Sequence, residues 1–174
     1  MGTAAQPDTE PTRRYATTHD GVDYRIRPLQ DHDLHHQSEF LTSLSFSSTC
    51  HRMLNSLAEP NDGLLDRMAR LDYQRQMTLV AVAPDDTVIA VARYGGNPIY
   101  CEFAVAVSDE WQCRGIGTAL CESLFAYAKT HGVRRVYSVV FPKNQPMLQL
   151  ARALKMTLRQ SLSNTSLQEA WRTL

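Results

Sequence analysis

The chain has 174 residues, enough for one domain with a hydrophobic core and too few for two comfortable ones. Hydrophobic residues make up 43% and charged residues 21%, the composition of an ordinary globular domain. Lys plus Arg (18) equals Asp plus Glu (18), so no global field favours DNA, RNA or an anionic membrane, and none of these is an expected partner.

Residues 1–18 hold Ala, Pro, Thr, Asp and Arg without an apolar run, so neither a signal peptide nor a membrane span is read there. They are expected to form a disordered tail, with a single domain over 19–174. Cys50, Cys101, Cys113 and Cys121 form no CxxC pair. A domain of this size does not need staples, so free thiols in a reducing cytoplasm are expected.

Val22-Asp23-Tyr24-Arg25-Ile26-Arg27 alternates as a half-buried strand does and ends at Pro28. Asp31 or Asp33 then caps a helix to about Ser43, and short helices are expected between Phe46 and Asp72, around Pro60-Asn61-Asp62-Gly63. Met77 to Ala83 and Thr87 to Tyr94 are strands joined by Pro84-Asp85-Asp86, a hairpin. Gly95-Gly96-Asn97-Pro98 is a further turn before the strand Ile99 to Val107, whose apolar run suggests burial on both faces. From Ile116 to Ala128 apolar residues recur at three and four, an amphipathic helix stopped by His131-Gly132. Val133 to Phe141 is the next strand, parallel to the one before the helix. Asn144 caps a last helix with Pro146 in its first turn, and Thr157 to Leu162 and Leu167 to Leu174 close the domain as strands.

Gln112-Cys113-Arg114-Gly115-Ile116-Gly117 lies between the buried strand and the long helix. The unpaired N–H groups of a helix's first turn and its dipole attract an anion, and glycines let the backbone approach a phosphate. A dinucleotide fingerprint would need a third glycine where Leu120 stands, and the Gly-Lys-Ser/Thr of a P-loop is absent. A lone Gly-x-Gly can also be a plain tight turn, but its surroundings argue for a ligand: hairpin, strand, Gln-x-x-Gly-x-Gly, helix, strand, Asn-capped helix.

With that order, residues 22 to 174 resemble the GNAT N-acyltransferase superfamily, whose acyl-CoA motif is Arg/Gln-x-x-Gly-x-Gly/Ala. The resemblance implies an α/β (α+β) fold. It has a central mixed, mostly antiparallel sheet of about six to seven strands, flanked by helices, with a splayed parallel strand pair at the acyl-CoA site. It further implies that the main chain at Gln112, Cys113, Arg114, Gly115, Ile116, Gly117 and Thr118 holds the pyrophosphate of acetyl-CoA or another short acyl-CoA. Val105, Ala106 and Val107 would pair with pantetheine, and Asn144 would contact the cofactor arm. Within the superfamily, Cys101-Glu102-Phe103-Ala104-Val105, Leu44-Ser45 with Ser48 and Arg52, Leu71-Asp72-Tyr73 and Asn144-x-x-Met147-x-x-Leu150-Ala151-Arg152 are similar to bacterial protein-lysine acetyltransferases.

Four residues depart from the family pattern. Cys113 stands where glycine is usual, Ala151 where many members have a Tyr acid, and Lys155-Met156 where Gly-Phe is usual. Ala151 is shared with the closer subgroup; Lys155 argues against a left-handed cap at the end of that helix.

An amine must be neutral to attack a thioester, and Glu102, on an apolar strand leading to the thioester, is the candidate base. The matching family Glu has that role; the other reading is a structural carboxylate paired with Arg93. A main-chain N–H near Val105 would hold the oxyanion. His32, His35 and His36 could share a helix face without further ligands, so no metal is expected. Arg52 and Asp72 are candidates to shape the acceptor pocket. The function expected is acetyl transfer to a primary amine, a protein lysine or a small molecule, by a cytoplasmic enzyme for which a homodimer is left open. A small-amine or polyamine acetyltransferase and a catalytically silent acyl-CoA sensor are the alternatives.

Overall fold

A computed structural model describes residues 14–30, 32–33, 76–97, 99–162 and 164–174. Of the helices expected within 31–72 only positions 32 and 33 are described, and Arg52 and Asp72 lie outside the described residues. Among those described, eight strands form one sheet, β1(Arg14–Thr17), β2(Asp23–Pro28), β3(Met77–Val82), β4(Val88–Gly96), β5(Tyr100–Val107), β6(Arg135–Val140), β7(Thr157–Gln160) and β8(Gln168–Thr173). Two α-helices accompany them, α1(Ile116–Thr130) and α2(Gln145–Ala153), with a 3-10 turn at Asp109–Trp111. The strand order is β1-β2-β3-β4-β5-β6-β8-β7, and every neighbouring pair is antiparallel except β5–β6. The mixed α/β sheet and its one parallel pair agree with expectation.

The strand count does not, and the extra strand is β1, within the stretch expected as tail. Three of its four residues are exposed, so it carries no burial pattern that sequence periodicity could register. Pairing with β2, from Arg14 opposite Ile26 to Thr17 opposite Asp23, makes it a strand. Gly95 and Gly96 likewise extend β4 opposite Glu102 and Cys101, so the turn into β5 is shorter than the Gly-Gly-Asn-Pro reading.

β3 is buried at every position, which its unbroken Met-Thr-Leu-Val-Ala-Val run requires. α1 lies across β3, β4 and β5, with Leu120, Cys121, Leu124 and Ala128 fully buried and Phe125 meeting Phe103 edge to face at 4.9 Å. β5 departs from the two-face burial expected of it. Only Cys101 and Phe103 are buried, and residues 104–107 are partly open. β6 pairs with β5 at Tyr100, Cys101 and Glu102 alone, so among the described residues no strand pairs with the rest of β5 on that side.

Both helices end in the same motif. After α1, Val133 N donates to Ala128 O at 3.0 Å and Gly132, at φ +84°, takes the left-handed position. After α2, Met156 N donates to Ala151 O and Lys155 N to Arg152 O, both at 2.9 Å, with Lys155 at φ +55°. The left-handed cap argued against from Lys155-Met156 therefore forms. Leu154 and Met156 on either side are buried, and their packing outweighs the conformational cost at the lysine between them. Lys155→Gly removes that cost, so it should stabilise the fold by about 1 kcal/mol, read as a rise of about 2–4 °C in melting temperature.

Candidate active site

β5 and β6 separate immediately after Glu102 meets Tyr137, and β6 goes on to pair with β8 along its whole length. The sheet therefore opens as a V, with Glu102 at its vertex and residues 103–107 along one arm. One Glu102 oxygen, Oε1, is buried without a hydrogen-bond partner among the described residues. Burial raises the Glu102 pKa above the ordinary carboxylate value, and the Arg93 guanidinium only partly opposes this. Tyr137 stacks on Trp171 at 4.7 Å and lies 6.5 Å from Tyr100, giving Glu102 an aromatic flank. No local sequence pattern marks that flank, because only the strand register brings these residues beside one another.

From the open arm of β5 a groove of about 730 Å³ runs toward the start of α1 and across to α2. Val105, Ala106, Val107, Gln112, Cys113, Gly115, Ile116, Gly117, Thr118 and Asn144 all line it, so ten of the expected cofactor residues meet in one place. Glu102 is not among its walls; it sits beyond the β5 end of the groove.

The loop's construction explains its residue types. Gln112 Nε2 donates to Val107 O at 3.1 Å and to Asp109 Oδ1 at 2.9 Å, tying the strand end to the loop. Cys113, at φ +60°, takes a left-handed turn there, and its thiol is exposed beside the groove. Gly115 is the N-cap of α1 at φ +86°, and no side chain caps the helix. The first intrahelical bond above it is Ala119 N to Gly115 O, so the amides of Ile116, Gly117 and Thr118 remain to be satisfied. No acidic residue occupies the first turn. An uncapped, glycine-lined helix N-terminus of this kind fits a phosphate group.

Arg114 lies apart from the groove walls. Its guanidinium pairs with Asp20 at 3.1 Å and lies 5.0 Å over the Trp111 ring. Asn144 is buried, and its Oδ1 accepts from Met147 N at 3.1 Å, capping α2 while the residue borders the groove. Ala151 is fully buried, so the position of the family's Tyr acid is a core methyl group here. Cys101, Cys113 and Cys121 are free thiols; Cys50 lies outside the described residues. Among the described residues no group of three His, Cys, Asp or Glu is arranged for a metal ion, and no helix is long and apolar enough to cross a membrane.

The model of the acetyltransferase (GNAT) family matches residues 47–156, and Acetyltransferase PA5475 of Pseudomonas aeruginosa is 32% identical over 140 residues, 78% of this chain and 75% of that one. The chain belongs to the GNAT acetyltransferase family. Acetyltransferase Pat of Mycolicibacterium smegmatis is 35% identical over 108 residues, 58% of this acetyltransferase but 32% of that longer protein. Among solved structures, the GNAT domain of S. lividans PAT superposes with a TM-score of 0.85 over 99% of this chain and 100% of that one. At 23% identity that likeness concerns the fold, and with the relatives it sets this acetyltransferase near the Pat-like members.

Proposed function

We propose that this acetyltransferase takes the acetyl group of acetyl-CoA to a primary amine by direct attack, with Glu102 as general base and a protein lysine as acceptor. The observation that carries the reading is the V between β5 and β6, with a desolvated carboxylate at its vertex and a phosphate-sized helix N-terminus at the far end of the adjoining groove. A thioester laid along that groove has its phosphates on the amides of residues 116–118. Its pantetheine runs beside Val105, Ala106 and Val107, and its acyl carbon points toward the vertex.

A solvated lysine has a pKa of ~10.4, and freeing its lone pair at pH 7 costs about 4.6 kcal/mol. A Glu102 carboxylate with a raised pKa takes that proton, directly or through one water, as the amine attacks the carbonyl carbon. The oxyanion of the tetrahedral intermediate is held by a main-chain N–H near Val105. Collapse expels CoA as a thiolate; with a thiol pKa of ~8.5 it needs little acid help, in keeping with Ala151. Direct transfer from a thioester calls for no metal. The lysine reading is supported by the likeness of residues 101–105 and 144–152 to protein-lysine acetyltransferases. A cytoplasmic location is in keeping with the three free thiols.

The loop predicts an asymmetry between its two glycines. A Cβ at Gly117 would meet Val107 Cγ2 at 3.5 Å, ordinary contact, so Gly117→Ala should bind acetyl-CoA within about twofold of wild type. Gly115 is left-handed, so Gly115→Ala strains the loop by about 1–2 kcal/mol and should weaken binding by roughly tenfold. Titration calorimetry of both variants checks this. The function is tested by CoA release from acetyl-CoA with a panel of proteins and small amines. Turnover on protein lysines supports the proposal, turnover on small amines alone replaces the acceptor, and binding without turnover makes the chain a sensor. Light scattering of the same preparation decides between monomer and homodimer.

A further inference from the structure

β1 and the turn after it have no part in the chemistry above, yet that turn is fastened to the phosphate loop. Thr18 closes the turn twice: its N–H donates to Val22 O at 2.8 Å, and its hydroxyl accepts from Val22 N at 2.8 Å. Gly21, at φ +88°, lets the chain reverse. Two contacts then cross to the loop. His19 N–H donates to Arg114 O at 3.2 Å, and the Asp20 carboxylate takes the Arg114 guanidinium at 3.1 Å.

These contacts set the His19 ring across Gly115. Its Nε2 lies 2.6 Å from where a Cβ on Gly115 would stand, so a side chain there would push the ring from this position. His19 thereby joins the walls of the groove beside Gln112, Gly117 and Thr118. Meanwhile Arg114, the loop's own cation, has its charge compensated by Asp20. The charged side chain that the sequence offers to a phosphate is thus turned to holding the β1–β2 turn, and the turn delivers an imidazole in its place.

We propose that His19 is a ligand of the phosphates of acetyl-CoA, donated to the cofactor site by the β1–β2 turn. The inference rests on the acetyl-CoA reading of the groove. A hydrogen bond to a charged oxygen at a partly exposed site corresponds to about tenfold in affinity. CoA carries a 5′-pyrophosphate and a 3′-phosphate, and either would present the same chemistry to an imidazole N–H.

The test is the affinity of wild type, His19→Ala and His19→Gln for three ligands: acetyl-CoA, its 3′-dephospho form, and S-acetylpantetheine, which lacks every phosphate. His19→Ala should bind acetyl-CoA about tenfold more weakly, His19→Gln should recover part of the loss, and S-acetylpantetheine should bind all three proteins alike. A loss that persists with the 3′-dephospho ligand assigns His19 to the pyrophosphate; a loss confined to the full cofactor assigns it to the 3′-phosphate. Unchanged acetyl-CoA affinity in His19→Ala overturns the proposal, as does an equal loss for S-acetylpantetheine, which would mean a collapsed turn. A wild type that binds no acetyl-CoA would remove the cofactor reading itself.

Discussion

Glu102→Gln is expected to lower kcat by roughly a hundredfold to ten-thousandfold, the range for losing a general base, while acetyl-CoA affinity stays within about twofold. A carboxamide keeps the shape of the side chain but cannot accept the amine's proton. The stability change separates this role from a structural one. Folding raises the Glu102 pKa, so its protonated form is favoured in the fold. That stabilising contribution is complete below the unfolded value of ~4.3 and is lost as pH rises through the folded value. At pH 7 the carboxylate is therefore a burden that Gln does not carry. The variant should be slow yet at least as stable as wild type at pH 7, with the difference vanishing near pH 4. A carboxylate that served mainly as a partner for Arg93 would show the reverse, lower stability with retained turnover. In wild type the acid limb of kcat/KM should lie above the ordinary carboxylate range, and it should be absent from whatever activity the variant retains.

Removing one member of the Arg27–Asp33 pair should cost about 3–5 kcal/mol, because it leaves a charge buried alone. Arg27 is 7% exposed and Asp33 1%, and the guanidinium meets the carboxylate through two bonds of 2.5 and 2.8 Å. Asp33 also accepts from Gln30 N at 2.8 Å, so it closes the turn that follows β2. Burial alone would raise the Asp33 pKa; the bonds from Arg27 and Gln30 more than offset this and hold it below the ordinary value. A depressed folded pKa contributes stability above the unfolded value of ~3.9, lost as pH falls through the folded value. Urea melts of Asp33→Ala should show the deficit at pH 7 and a smaller gap from wild type at pH 3. The double variant Arg27→Met/Asp33→Leu should be more stable than either single replacement at pH 7, since no charge is left without its partner. A double variant as unstable as Asp33→Ala would show that the pair's hydrogen bonds, and not the orphaned charge, carry the effect.

The two effects draw on parts of the chain that differ in how far the sequence reveals them. Strands β2 to β8, both described helices and the loop from Gln112 to Gly117 were legible because each rests on a local pattern. These are the apolar run of β3, the three-and-four spacing of α1, the Asn144 cap and the glycines ahead of a helix. β1 was not legible, since an exposed four-residue edge is specified by its partner strand. Lys155 pointed the wrong way, because a local preference worth about 1 kcal/mol was outweighed by the burial of Leu154 and Met156.

The glycine loop at the start of α1 was thus determined by the sequence alone, as was a carboxylate on the strand leading to it. Both follow from interactions within a few residues, where chain geometry admits few alternatives. Which side chains stand around them was decided only by the tertiary structure. Register sets Tyr137 beside Glu102, Asp20 pairs with the Arg114 guanidinium, and the β1–β2 turn brings His19 over Gly115. Such neighbours come from distant parts of the chain, and their free energy appears only after the sheet has closed the loops between them.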